Sequence, residues 1–518
     1  MKPPHLNKYI LVFLAGLLAV YGFAPYFVYP LVVVALAILF AQWQHARGKW
    51  MAARLGFVFG FGFFGSGMGW LYIALHEYGG MPMLLAAAAV ALFAAFYALF
   101  PAAVGYAQAR LRSRFGGREG VAASIVLALL IPALWVLLEW LRGLLFTGNP
   151  WLVMGYAQAA DSPLAGYAAL FGVYGVSLLV AVSAGLLALL WQLRPGKQVI
   201  QHRQGKLALG LLLLLWLGGA ALRMVEWTRP QGEPFKVSLL QGNIAQGVKF
   251  AEGSLVNTIE TYRRLAQSSD ARLIVLPETA LPLLLNNLPQ DYTDILRNHA
   301  RQNAGDMLIG LFERERGLYY NSVVSLGSAE SQSYRKNHLV PFGEFIPLRP
   351  LLGWLINDLL HIPMSDQARG GERQQVLQVA GQQVAVNICF EDVFGEEIIR
   401  YLPEATLLVN VTNDAWYGVS NAAMQHNQIS QMRALETGRM MLRATNTGVT
   451  SIIGADGRVQ QMLPQHEVGV LTGMVQGYSG STPYARWGNA ALLGLIALML
   501  GASWRLRHKK FSAQSAAG

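Results

Sequence analysis

Eight apolar stretches, each near the roughly 20 residues that a helix needs to cross a bilayer, constrain this chain more than any other feature. They occupy residues 9–25, 31–43, 55–75, 83–109, 121–141, 164–191, 207–222 and 487–504, the second and seventh being short. Between Arg223 and Arg486 no comparable run occurs, so this interval must fold in water. The expected architecture is a polytopic α-helical membrane bundle of eight transmembrane helices plus one soluble domain. Residues 1–222 would hold seven helices, 223–486 the soluble domain, and 487–518 the eighth helix with a basic tail. Composition agrees, since 54% of residues are hydrophobic and only 13% charged, unlike the usual soluble domain.

Charge separates the parts further. The whole chain carries +11, but residues 223–486 carry −3 and the remainder +14. The basic excess therefore flanks the membrane segments, and the soluble domain has no surplus with which to hold a polyanion. Nucleic acid is excluded as a partner. The basic groups cluster at Lys2 and Lys8; at Arg47, Lys49 and Arg54; at Arg110, Arg112, Arg114 and Arg118; at Arg194, Lys197, Arg203 and Lys206; and at Arg505, Arg507, Lys509 and Lys510. With eight spans every cluster falls on one side, so both termini are expected in the cytoplasm and the soluble domain outside. The basic start and apolar core of residues 2–24 could also be read as a signal peptide, but no small-x-small cleavage site follows. Gly56-x-x-x-Gly60 and Gly65-x-x-x-Gly69 suit close helix packing. Glu139, three residues before Arg142, could pair with it on one helix face. The buried carboxylate chain of an ion-coupled transporter is not seen in the spans.

The soluble interval reads as alternating strands and helices. Strands are expected at 236–240, 272–276, 307–310, 320–326, 333–336, 384–389 and 406–411, with a hairpin of 450–453 and 459–462 around Asp456-Gly457. Helices are expected at 255–267, 292–303 and 426–444, the last with Arg433, Glu436, Arg439 and Arg443 at helical spacing. Three polar groups follow strand-like runs: Glu278 after Arg272-Leu-Ile-Val-Leu-Pro, Lys336 after a short run, and Cys389 at the end of Val384-Ala-Val-Asn-Ile. In an α/β sheet such ends share one edge, where ligands bind. Cys389 is the only cysteine. In an exported domain, where thiols usually pair, it is a candidate nucleophile rather than half of a disulfide; a small buried core residue is the alternative. A carboxylate could accept its proton, and an ammonium could lower its pKa and hold an oxyanion. The histidines are scattered without ligand spacing, so no metal and no cofactor is expected, and His338 reads as packing.

These motifs resemble the nitrilase (carbon–nitrogen hydrolase) superfamily, which implies an α/β nitrilase-like αββα sandwich with a Glu-Lys-Cys triad. Lys336-Asn-His-Leu-Val-Pro-Phe-Gly-Glu-Phe-Ile-Pro347, Asn413-Asp-Ala-Trp-Tyr-Gly418, Met432-Arg-Ala-Leu-Glu436, Thr147-Gly-Asn-Pro-Trp151 and Thr482-Pro-Tyr-Ala-Arg486 carry the likeness further. Together they resemble the apolipoprotein N-acyltransferase family of Gram-negative bacteria, over nearly the whole chain. The resemblance implies Glu278 as general base, Lys336 as oxyanion stabiliser and Cys389 as nucleophile. It adds Glu344 and Glu391 as orienting carboxylates, Asn413 and Trp416 beside the active-site mouth, and Phe390 and Phe250 where some members have Tyr and Trp. Both departures keep a ring and lose a hydrogen-bonding group.

The implied reaction is ping-pong acyl transfer through a thioester. The donor would be a phospholipid, phosphatidylethanolamine being the expected one, and the acceptor the α-amino group of a diacylated apolipoprotein. The implied setting is a monomer in the bacterial inner membrane with a periplasmic catalytic domain. Residues 281–285 and 345–364 could touch lipid or pack in the core. A membrane-anchored amidase hydrolysing a small amide is the alternative within the same chemistry, and a transporter with an extracytoplasmic binding domain the alternative outside it.

Overall fold

The computed structural model describes residues 6–112, 121–193, 203–247, 249, 252–346 and 366–515. Phe250, residues 347–364 of the candidate lipid-contacting segment, and the basic residues Lys2, Arg114, Arg118, Arg194 and Lys197 lie outside them. Two compact units result, one of residues 1–69, 87–225 and 487–518, the other of residues 70–86 and 226–486.

The first unit is helical, and here the expectation of eight transmembrane helices fails. Among the described residues four helices are long and apolar enough to span a bilayer: Met83–Arg112, Ala123–Arg142, Pro163–Gln192 and Arg203–Leu222. A fifth counts only if Lys49–Gly67 and Leu71–Tyr78, bent by 61° at their break, form one span. Asn7–Val20, Pro30–Gln44 and Ala490–Arg505 are shorter apolar helices. The reason is geometric. At about 1.5 Å per residue, the 15 residues of Pro30–Gln44 reach only about 22 Å, short of the roughly 30 Å hydrocarbon core. Apolar runs in sequence include turns and breaks that hydropathy does not register, such as the one between Gly67 and Leu71.

Glycine does bring helices together in this unit. A Cβ on Gly56 would strike the carbonyl of Pro101, and one on Gly60 would lie 2.8 Å from the Cα of Ala98. Helix Lys49–Gly67 therefore meets Met83–Arg112 backbone to backbone. Glu139 and Arg142 do not pair directly. Glu139 accepts from Met154 N at 2.9 Å and from Ser177 Oγ, while Arg142 donates to the carbonyls of Asn149 and Trp151 at 2.6 and 2.7 Å.

The second unit contains two six-stranded sheets. The strands are β1 (Thr228–Gln241), β2 (Leu273–Val275), β3 (Asp306–Glu315), β4 (Leu318–Gly327), β5 (Ser333–Arg335), β6 (Leu377–Val379), β7 (Gln382–Ile388), β8 (Leu407–Thr412), β9 (Met441–Thr445), β10 (Ser451–Ile453), β11 (Val459–Met462) and β12 (Gly469–Gly480). One sheet has the order β12-β1-β2-β3-β4-β5 and the other β11-β10-β9-β8-β7-β6. Their central strands run parallel, β1 with β2 and β3, β7 with β8 and β9.

Helices α1 (Glu252–Gln267) and α2 (Gln290–Gln302) cover the first sheet, burying Tyr262, Ala266, Tyr292 and Leu296 against Leu240, Ile274 and Met307. Helix α3 (Ala422–Thr437) covers the second, with Ala434 packed among Ala385, Leu408 and Met441. The layers are therefore α-β-β-α. Leu281 is fully buried and Leu283 and Leu285 pack beside it, so residues 281–285 belong to the core. The long helix expected at 426–444 ends at Thr437, because Gly438 turns left-handed at φ 63° and donates its N–H to Ala434. Arg443 consequently sits on β9, where its helical spacing to Arg433 means nothing.

Candidate active site

Each sheet delivers its chemistry from strand ends. Just beyond β2, Pro277 stops the strand and Glu278 follows, 6% exposed. Lys336 directly follows β5 and is 1% exposed. Its Nζ lies 3.2 Å from Glu278 Oε1 and 2.7 Å from Glu344 Oε1. The Asn321 side chain on β4 donates to the same Glu278 oxygen at 2.8 Å, and the Asn321 carbonyl accepts from Lys336 N at 2.8 Å. Val340 N donates to Glu344 Oε2 at 2.8 Å, fixing that carboxylate. Burial alone would discharge Lys336, but the carboxylates of Glu278 and Glu344 outweigh it and hold the ammonium well above the usual lysine range.

Cys389 directly follows β7 in the second sheet at φ 54°, a left-handed conformation that costs a non-glycine residue roughly 1 kcal/mol or more. Asn410 Nδ2 donates to the Cys389 carbonyl at 3.1 Å and helps hold that turn. The thiol is buried and feels the charges of both Glu278 and Lys336, so the three residues singled out in sequence form one electrostatic unit. Lys336 does pull the thiol down, as expected of an ammonium, but it is outweighed. Burial and then Glu278 push the thiol well above its usual value, while Lys336 pulls less strongly the other way. Burial and the neighbouring carboxylate thus favour the thiol form of Cys389.

Glu391 does not face the thiol. Its Oε1 accepts from Asn337 N and His338 N at 2.7 and 3.0 Å, and its Oε2 from Ile388 N and Tyr334 Oη at 2.7 and 2.9 Å. One carboxylate thus ties the lysine segment of the first sheet to the strand that carries the cysteine. Burial lifts it to about 7, against the backbone hydrogen bonds that pull it down. Phe390 packs edge-on against Phe394 and His338, with centroids 5.3 and 6.1 Å apart. His338 itself stacks on Phe394 at 3.6 Å, the packing role expected of it.

A buried network lies behind Cys389. His426 on α3 has Nδ1 2.9 Å from Asp414 Oδ1 and Nε2 2.8 Å from Asp392 Oδ1. Arg443 reaches the same pair, Asp414 Oδ2 at 2.9 Å and Asp392 Oδ2 at 3.3 Å. A neutral imidazole has only one N–H, so a ring facing two carboxylates is an imidazolium. Burial and Arg443 oppose that charge, but Asp392 and Asp414 raise the ring above its ordinary value. Asp414 in turn resists burial and is drawn down to about 2 by His426 and Arg443. Donor atoms of Cys389, Asp414 and His426 lie within 4.8 Å of one another. Both His426 nitrogens are committed to carboxylates, however, which leaves the ring no lone pair for a cation.

Asn413 bridges by its amide, donating to Gln246 Oε1 at 2.8 Å and accepting from Asn446 Nδ2 at 3.0 Å. Trp416 is 38% exposed and meets the Tyr78 ring edge-on at 6.2 Å. Tyr417 packs on Trp70 at 4.5 Å. Sequence reasoning missed Lys249, Asn321, Asn446 and the His426 network. No local signal announces that Lys249, eight residues beyond Gln241, is buried beside Glu278.

Two family models match the chain: an apolipoprotein N-acyltransferase N-terminal domain over residues 15–186, and carbon-nitrogen hydrolase over residues 236–484. Full-length relatives agree. An apolipoprotein N-acyltransferase of Nitrosomonas europaea is 51% identical over 95% of this chain and 96% of its own. One from Methylococcus capsulatus is 44% identical over 97% of both chains. A third, from Chromobacterium violaceum, is 44% identical over 95% of this chain and 93% of its own. Identity at this level across both units leaves one assignment: the chain belongs to the apolipoprotein N-acyltransferase family.

Proposed function

We propose that the acyl chain travels from a phospholipid to Cys389 as a thioester, and then to the α-amino group of a diacylglyceryl-cysteine at an apolipoprotein's N-terminus. Family membership makes this chain an enzyme that transfers a lipid acyl group to an apolipoprotein; the residues and steps are our reading. The observation that carries it is the buried ammonium of Lys336 bound between Glu278 and Glu344, with the Cys389 thiol in reach of the same charges.

In the first half-reaction Glu278 takes the thiol proton and the sulfur attacks the ester carbonyl carbon. Lys336 donates to the oxyanion, where a preorganised buried charge is worth most. The tetrahedral adduct collapses, and the glycerol oxygen leaves as the alcohol of a lysophospholipid, taking the proton from Glu278. In the second half the amine attacks the thioester, Glu278 accepts its proton, and the thiolate leaves and is reprotonated. An amide remains. Splitting one slow exchange into two easier ones is what a thiol nucleophile offers.

Both substrates are lipids, and each buried methylene holds a chain in the bilayer by about 0.8 kcal/mol. Membrane-spanning helices keep the enzyme where such substrates are. In this reading residues 223–486 form the catalytic domain on the periplasmic face of the inner membrane. Residues 1–222 and 487–518 form the membrane part, and the enzyme acts as a monomer. Phosphatidylethanolamine is the first donor to test. Incubating the purified enzyme with acyl-labelled phosphatidylethanolamine and a diacylated lipopeptide should yield labelled amide; label released only as free fatty acid would refute the acyl transfer.

A further inference from the structure

We propose that Lys249 is a positioning residue for the acylation step: its ammonium clamps the Glu278–Thr279 turn and so fixes where the Glu278 carboxylate sits. The proposal rests on the reading of Cys389 as nucleophile and Glu278 as base. Lys249 is 1% exposed. Its Nζ donates to the Glu278 carbonyl at 3.2 Å and to Thr279 Oγ1 at 2.6 Å. Among the described residues no carboxylate lies within ion-pair distance of it. A lysine buried against neutral oxygens alone is costly, so its charge must act on something further away.

The turn it holds is strained. Thr279 has φ 45°, a conformation that β-branched residues avoid. The turn is also pressed from the opposite strand: a Cβ on Gly310 would lie 2.7 Å from Thr279 N and 2.9 Å from Glu278 Cα. Gly310 allows the approach and Lys249 supplies two hydrogen bonds, so the base is aimed from two sides.

Lys249 is itself registered to the second sheet. Asn446 bonds both backbone groups of Ile244, accepting from N at 2.9 Å and donating to O at 2.7 Å. Asn413 holds Gln246 at 2.8 Å. Asn413 follows β8 and Asn446 follows β9, so the loop that places the ammonium is fixed to the ends of the strand beside the cysteine strand and of the next one over. The titratable groups around the clamp are Glu278 and Cys389, whose charges reach Lys249, with Lys336 and Glu344 beyond Glu278. Burial lowers Lys249 to about 8, Glu278 and Cys389 pulling it back up, so the ammonium form prevails at neutral pH.

The test is single-turnover acylation of the full-length enzyme by labelled phospholipid without acceptor, measured across a range of phospholipid concentrations. Lys249→Met should acylate roughly tenfold more slowly at saturating phospholipid, with the concentration for half-maximal rate unchanged. Lys249→Arg restoring most of the lost rate supports the proposal. A folded Lys249→Met with the wild-type rate overturns it, and so does a loss confined to the phospholipid concentration needed. Should Lys249→Met not fold, Thr279→Val decides: severalfold slower acylation supports the clamp, and a wild-type rate overturns it. A wild-type enzyme that forms no thioester refutes the nucleophile reading instead.

Discussion

A carboxylate oxygen of Glu344 lies 2.7 Å from Lys336 Nζ, closer than the 3.2 Å that separates the same ammonium from Glu278. The lysine is thus held more closely by Glu344 than by the carboxylate we propose as the base. Glu344→Gln should leave Lys336 drawn toward Glu278. Acyl-enzyme formation should then slow by about 10²-fold, the scale of a small misplacement at a reacting centre, as read by single-turnover kinetics.

Glu391 accepts four hydrogen bonds, from Ile388, Asn337, His338 and Tyr334. A glutamine there must turn an NH2 toward donors. Glu391→Gln should cost about 3 kcal/mol of stability, and Tyr334→Phe, which removes one donor, about 1 kcal/mol. Thermal unfolding of the detergent-solubilised variants measures both, and Glu391→Gln should be the less stable of the two.

Much of this site was legible in sequence because strand ends are. Glu278 and Cys389 follow short apolar runs and Lys336 a short strand-like one, and Pro277 shows where a strand stops. Glu344 was found through its motif, and its contact with Lys336 needed the fold. Lys249 and His426 were invisible for a common reason: their importance comes from burial beside charges brought from distant parts of the chain. The membrane part failed differently. Hydropathy already marked 31–43 as short, but it sums apolar residues and cannot see that Gly67 to Leu71 is a bend.

The His426 imidazolium makes stability depend on pH in a definite direction. Its folded pKa is raised above its unfolded value, so its contribution is fully present below about 6.5 and fades as pH rises through the folded value. The groups facing it are Asp392, Asp414 and Arg443, with the Cys389 carbonyl at 3.2 Å. Asp414 works the other way. Its depressed pKa gives stability present above the usual carboxylate range and lost only as pH falls toward about 2. The melting temperature of the wild type should therefore decline on the alkaline side. His426→Gln should be less stable by about 3 kcal/mol, since it leaves Arg443 alone to balance two buried carboxylates, and its alkaline decline should be flatter.

The most direct measurement is the intact mass of the protein after incubation with a phospholipid of known acyl chain. The wild type should gain one acyl chain as a hydroxylamine-labile thioester on Cys389, and lose it to a diacylated lipopeptide as an amide. Cys389→Ala should gain nothing. An acyl adduct that persists in Cys389→Ala, or amide formed by that variant at the wild-type rate, would contradict the account.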